Sequence, residues 1–460
     1  MTAPARIDYT YRYSYPSHLV REGPQWGLRL ATFGGVSDQA SPNPYFFEGE
    51  LRQPQTVADL LLAIAKVVTS RFFLPAAMIE YDPVVTSSEE VLRFEGFSSC
   101  CGVYARADLP AESFSRSIQG RGTTNVDFNT PMRAALARLR AGDSVKLAVG
   151  ADEVLLSQSS GSVVEKKVTL PVRWVKGFTE VQAYQPALDK RFEVSGAEAL
   201  RFIRSLPRGG APKNPSWVTP QGRGLRLSQR ESNRAVRVTG TDRLRLLEPL
   251  LNHAKQMQVW ANDVTAVSGW EVTNEAGRFF LMISPDVWRG FSGEGQVLKT
   301  LVGKEWQEAL PRVRAALRWQ AKIDAPQIAR GAGLELSEVE AALAVLGARG
   351  LVGFDLNQGS YFHRELPFDM EKVESLQPRL RDARQLLAEN KARLITQSGP
   401  SDNITAELGV QGTEVEHRVR LTPQGDKCSC PWFSKHGGQR GPCKHILAAR
   451  LLVQGDDDDT

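Results

Sequence analysis

The chain has 460 residues, too many for one compact core, and points to roughly three domains at about 150 residues each. A hydrophobic fraction of 42% beside 24% charged residues is ordinary for globular protein and excludes wholesale disorder or a fibre. The net charge is only +5, so any strongly basic surface must be local.

The opening residues, MTAPARIDYTYRYSYP, alternate aromatic with polar side chains and carry no apolar run behind a basic stub. They predict a strand rather than a secretory signal, and the protein is expected to be cytoplasmic. The longest apolar run, 57–68, is interrupted by Asp59 and Lys66 and falls short of the about 20 residues of a membrane helix. It predicts a helix of a globular core, and no membrane partner is expected. Residues 130–139 predict another helix with Pro131 in its first turn, and 145–149 alternate like a half-buried strand. Residues 1–195 are read as an N-terminal α+β domain.

After the Gly/Pro-rich break at 207–212 a similar order returns: a helix over 242–255, then strands over 257–260, 271–273 and 278–283. Residues 196–305 are read as a second α+β domain, whose element order suggests a distant repeat of the first. Between 201 and 245, eleven Lys and Arg residues face only Glu231 and Asp242, which leaves +9 there and −4 for the rest of the chain. Arg223, Arg226 and Arg230 in this stretch are candidate nucleic-acid contacts.

Residues 306–370 predict a helix opening at Pro311, a short helix from Pro326, the turn Gly331-Ala332-Gly333 and a third helix from Ser337. Ser337 and Glu340 have capping-box spacing, and Val339, Leu343 and Leu346 form one buried stripe. A hairpin over 351–356 and 361–363 follows, so the module resembles a winged helix-turn-helix. Glu335, Glu338 and Glu340 crowd the start of its third helix and only Arg349 answers them. That charge favours a structural or protein-docking role over major-groove reading. Residues 371–400 are read as a helical linker, with Leu380, Ala383 and Leu387 on one face.

Several short motifs are set aside. Gly293-Glu294-Gly295-Gln296 opens like a phosphate-binding loop, but Leu298 stands where its second glycine belongs. Gly222-Arg223-Gly224 lacks the last glycine of a dinucleotide fingerprint. Cys100 and Cys101 are read as buried thiols, since adjacent cysteines close a disulfide only with strain. His18, His253, His363 and His417 are scattered, with no nucleophile in a local motif.

The final module, 401–455, concentrates the chemistry. Residues 404–410 and 415–421 alternate apolar with polar and predict a hairpin, and 445–452 predicts a short apolar helix. Between them lie three of the five cysteines, in the pattern Cys-x-Cys-x12-Cys-x-His. Cys428 and Cys430 beyond a strand, with Cys443 and His445 at a helix start, supply four soft donors of the kind that a tetrahedral zinc ion takes. His436, among flexible neighbours, is the rival nitrogen donor and is read as a solvated loop residue.

This pattern, with Pro431 and an aromatic pair after the first cysteines and the Cys-Lys-His-Ile-Leu-Ala run at its end, resembles the SWIM zinc finger family over about 404–453. The resemblance implies a ββα module with Cys428, Cys430, Cys443 and His445 holding one structural zinc ion. It also implies binding to DNA or to other proteins. Arg440 and Lys444 beside the cluster join the candidate nucleic-acid contacts.

The sequence thus predicts an α+β multidomain protein, non-enzymatic and zinc-binding, that meets DNA or another nucleic acid, a protein partner, or both. The alternative is an enzyme with its active site in the N-terminal α+β domains, the finger serving for recruitment.

Overall fold

The computed structural model describes residues 18–22, 25–30, 36–37, 45–73, 83–126, 128, 130–150, 172–209, 214–303, 306–366, 377–399 and 404–454. The strand expected over 1–16 lies outside them. The protein mixes α and β structure in several sheets, and the largest has nine strands. Its order is Asp189–Ser195, Gln256–Asn262, Val267–Thr273, Arg278–Ile283, Val103–Pro110, Val91–Phe97, Val84–Ser87, Gly122–Asn125 and Val36–Ser37. Every described pairing within it is antiparallel. Strands from both sides of residue 195 meet where Arg278–Ile283 pairs with Val103–Pro110, so the two α+β segments share one sheet and one apolar core.

Helix Pro54–Thr69 starts with proline in its first turn, a position whose missing N–H costs nothing, and is buried along most of its length. It lies against Val91–Phe97 and Val103–Pro110. The helix expected over 242–255 is instead a 3-10 helix, Thr241–His253, with Pro249 inside it.

The central strands carry an unusual second face. Period-two alternation puts Leu92, Phe94, Ala105, Ala107 and Leu109 on one side and Arg93, Glu95, Arg106 and Asp108 on the other. Register sets Arg93, Asp108 and Arg278 in one cross-strand row, with Glu95 opposite Arg106 in the next. All these side chains are buried except Arg278, which is half-buried.

What covers this charged face comes from far along the chain. Helices Ala309–Ala316, Ala325–Ala332 and Leu336–Ala348 precede a two-stranded hairpin, Val352–Asp355 with Ser360–His363. Asp324 caps the second helix, its Oδ1 accepting from Gln327 N at 2.9 Å. The third helix is capped by the pair Glu335 and Glu338, not Ser337 and Glu340, because the reciprocal bonds form two residues earlier, Glu335 N donating to Glu338 Oε2 at 2.7 Å.

The hairpin drives Asp355 into the arginine row, where its carboxylate meets Arg93 at 3.1 Å, Arg106 at 3.1 Å and Arg278 at 2.7 Å. Arg364 pairs with Glu95 in the same layer, and Phe362 stacks under Arg93 at 4.1 Å. Burial opposes the charge on Asp355, yet Arg106, Arg93 and Arg278 together hold its carboxyl well below the usual carboxylate range.

The chain ends in a four-stranded sheet ordered Ala392–Ser398, Thr405–Gln411, Glu416–Leu421 and Lys427–Cys428, with helices Pro431–His436 and Lys444–Gln454. Within the span expected as a helical linker, helix Pro378–Ala388 is followed by the strand Ala392–Ser398. Leu386 rather than Leu387 joins Leu380 and Ala383 in the helix's buried stripe. Among the described residues no helix is long and apolar enough to cross a membrane.

Candidate metal centre

Cys428 ends the short strand Lys427–Cys428, and Cys430 caps the following helix, where Pro431 takes the first helical position. The backbone then turns at Gly437, Gly438 and Gly441, all at positive φ, and brings Cys443 and His445 to the start of Lys444–Gln454. Four donor atoms, one from each residue, lie within 4.8 Å of one another, and all four residues are buried. Tetrahedral zinc with sulfur at about 2.3 Å separates its ligands by roughly 3.8 Å, so the cluster fits such an ion with a small contraction. His445 Nδ1 lies 3.9 Å from Cys428 Sγ, with its ring packed on His417 at 4.6 Å.

Two backbone amides already serve the sulfurs. Cys430 N donates to Cys428 Sγ and Phe433 N to Cys430 Sγ, each at 3.4 Å, bonds that favour thiolate over thiol. Cys443 is pulled down to about 4 by a hydrogen bond from the Cys428 thiol, which is itself pushed up by donating it. Burial likewise pushes the Cys430 thiol up, so of the three thiols Cys443 alone parts readily with its proton, and a divalent soft cation would draw the other two into the thiolate form on binding. His436 lies outside the cluster, against Trp432 at 4.9 Å.

Residues 417–451 match the SWIM zinc finger. No curated protein matches the chain. Among solved structures, the crystal structure of Proliferating Cellular Nuclear Antigen from Entamoeba histolytica resembles it at 9% identity and a TM-score of 0.34, over 52% of this chain and 99% of that one, a likeness too slight to carry an argument.

The SWIM finger is built into the rest of the molecule. Its core is shared with helices Val297–Val302 and Pro378–Ala388. Gln296 Nε2 donates to the carbonyls of Gly438 and Gln439 at 3.1 and 3.0 Å. Arg379 donates to the carbonyls of Arg440, Pro442 and Glu294 and stacks over Trp432 at 4.8 Å. A Cβ on Gly441 would come within 2.0 Å of the Gly295 carbonyl oxygen, and one on Gly295 within 2.1 Å of Arg379. Of the two glycines that resemble half a phosphate loop, Gly295 makes room for the Arg379 guanidinium, while a Cβ on Gly293 would meet only Arg440 at an ordinary 3.6 Å.

Behind this seam Glu180 Oε2 accepts from Gln296 N at 2.9 Å. Burial, with the neighbouring charge of Glu294, pushes the Glu180 carboxyl up to about 8. The folded protein therefore holds a proton there that the unfolded chain loses near pH 4.5, and this group's contribution to stability falls as pH rises from about 4.5 to about 8. Glu180→Gln is expected to flatten that descent; melting temperatures of parent and variant that stay parallel from pH 5 to pH 8.5 would remove Glu180 from the account.

The basic stretch 201–245 divides into two sets. Arg201, Arg204, Arg237 and Arg245 pair with carboxylates, and Arg243 is fully buried on the Thr239 and Gly102 carbonyls. Arg223, Arg226 and Arg230 stand exposed on or beside the three-stranded sheet of Ser216–Gln221, Gly224–Ser228 and Val236–Val238, with no ion-pair partner among the described residues. Arg440 donates to the Gly293 carbonyl at 2.7 Å and lies 3.6 Å from Glu294, while Lys444 is half-buried with no ion-pair partner among the described residues. Cys100 and Cys101 are buried free thiols.

Sequence reasoning missed the Arg93, Arg106, Asp108, Arg278 and Asp355 layer, although the alternating charges of Val91–Phe97 and Val103–Pro110 signal it. These titratable groups converge, but under the hairpin rather than around an opening.

Proposed function

We propose that Cys428, Cys430, Cys443 and His445 hold one structural zinc ion, and that the chain is a non-enzymatic, cytoplasmic binding protein that meets nucleic acid through Arg223, Arg226 and Arg230. The convergence of four buried soft donors supports the zinc assignment. With four protein ligands the ion keeps no open position for water, so its part is to fold the finger rather than to hydrolyse a substrate. Zinc supplies a fixed tetrahedral crosslink, and the protein's own residues supply its thiolates, its imidazole and the two amide donors to sulfur.

The observation that carries the nucleic-acid reading is the exposure of three arginines on or beside one small sheet, without carboxylate partners among the described residues. Lys444 and the solvent-facing part of Arg440 are the finger's own contacts. The hairpin of the three-helix module is occupied by the sheet, which favours a structural role for this winged-helix-like unit over groove reading.

Phosphate contacts release counterions, so affinity for duplex DNA is expected to fall with salt at a log–log slope of about −0.9 per phosphate neutralised. Replacing Arg223, Arg226 and Arg230 together by alanine is expected to flatten that slope while leaving the melting temperature unchanged. Titration of labelled duplex at several salt concentrations checks this, and absence of binding even at low salt would leave a protein partner as the surviving reading.

A further inference from the structure

Where the finger meets the sheet body, the surface folds into an open cavity of about 800 Å³, within the range of small-ligand sites. Its wall joins the first turns of Val172–Tyr184, the segment 286–294 and the finger's residues 435–440. Five cations line it, Arg173, Lys176, Arg289, Lys435 and Arg440, against the carboxylates of Asp286 and Glu294.

Those carboxylates are already engaged. Arg289 reaches Asp286 at 3.1 Å and Glu294 at 2.8 Å, Arg237 reaches Asp286 at 3.0 Å, and Arg440 sits beside Glu294. Among the described residues, the charge that remains without a carboxylate partner belongs to Arg173, Lys176 and Lys435. Arg173 is positioned by one bond from Nη1 to the Ser99 carbonyl at 3.0 Å, which neutralises nothing. Lys176 is half-buried and Lys435 exposed, and neither has an ion-pair partner among the described residues. Burial holds the Lys176 ammonium below its ordinary range, and the attraction of Glu180 offsets that desolvation only in part.

The cavity also carries an apolar feature of a particular kind. Trp288 lines it with its side chain 57% exposed, among the largest exposed hydrophobic groups of the described residues. An indole standing in solvent beside unpaired cations is the pairing that takes a base on its face and a phosphate on its charges.

We propose that this cavity binds a nucleotide unit, its phosphate on Arg173, Lys176 and Lys435 and its base against Trp288. The same unit is available as a free nucleotide or within a single strand. The inference does not rest on Arg223, Arg226 and Arg230, which lie on or beside the three-stranded sheet and do not line the cavity.

The test uses the full zinc-loaded chain and three probes: ADP, pyrophosphate and a labelled oligothymidine strand, followed by calorimetry and by anisotropy. The parent is expected to bind ADP saturably. The pair Lys176→Ala and Lys435→Ala is expected to weaken ADP and pyrophosphate alike by about tenfold or more, with melting temperature and zinc content held. Trp288→Ala is expected to weaken ADP by about tenfold while leaving pyrophosphate unchanged, as loss of stacking does. Strand binding that ADP displaces identifies a single strand as the source, and ADP binding without strand binding identifies a free nucleotide. The triple alanine variant at Arg223, Arg226 and Arg230 is expected to keep its ADP affinity. Absence of saturable binding by all three probes overturns the proposal, as does parental ADP affinity in the double lysine variant.

Discussion

Cys443→Ser or His445→Ala is expected to release the metal and unfold the chain's C-terminal module, the largest effect anticipated for any single substitution here. Structural zinc contributes apparent binding free energies of about 10–16 kcal/mol in finger peptides, more than any one packing contact supplies. The affected region extends upstream of the cysteines, because the finger's core takes in helices Val297–Val302 and Pro378–Ala388. The nine-stranded sheet has its own core and is expected to persist. Metal content by atomic emission and amide exchange along the chain would report both halves of this expectation. Full zinc occupancy in both variants would remove these residues as ligands, and exchange spreading through Val91–Phe97 would show that the two cores melt together.

Asp355→Ala is expected to cost about 3–5 kcal/mol of folding stability, the usual consequence of removing one partner from a buried ionic cluster. Asp355 contacts Arg93, Arg106 and Arg278, and without it the three are left to Asp108, with Glu271 3.7 Å from Arg278. Asp355→Asn keeps the shape and loses the charge, so it separates electrostatics from packing. The folded-state carboxyl is depressed, so its contribution is complete above the unfolded value of about 3.9 and is lost as pH falls below it. The parent is therefore expected to lose more stability than Asp355→Asn between pH 5 and pH 3. Equal urea midpoints for parent and Asp355→Ala at neutral pH would mean that the hairpin's burial adds nothing to the fold.

How much of this was legible in the sequence depends on how local each signal is. The clustering of Cys428, Cys430, Cys443 and His445 was, because Cys-x-Cys and Cys-x-His each fix two donors on one short element and twelve intervening residues bring the pairs together. Strand Arg278–Ile283 was read to the residue, since its apolar run has sharp ends. Its pairing with Val103–Pro110 was not, because Arg278 and Asp108 lie 170 residues apart and no short-range pattern records a partner at that distance. The Ser337 cap failed for a local reason: two overlapping capping boxes fit the same stretch, and reciprocal bonding chose Glu335 with Glu338. The phosphate-loop resemblance at Gly293 and Gly295 was set aside on sequence, but the purpose of Gly295 was not legible, because it depends on Arg379 and Gly441, which only the folded chain brings near.

The hairpin that closes the arginine layer also sets an order of events during synthesis. Arg93 and Asp355 are separated by 262 residues, which a ribosome working at about 5–20 residues per second covers in roughly 13–50 s. Through that interval the strands bearing Arg93 and Arg106, joined by Arg278 only for its last 77 residues, exist without the carboxylate that completes their layer, and the long loop slows its arrival further. A nascent chain paused before the hairpin is therefore expected to display a cationic, incompletely folded sheet, open to protease and to anionic surfaces until residue 355 emerges.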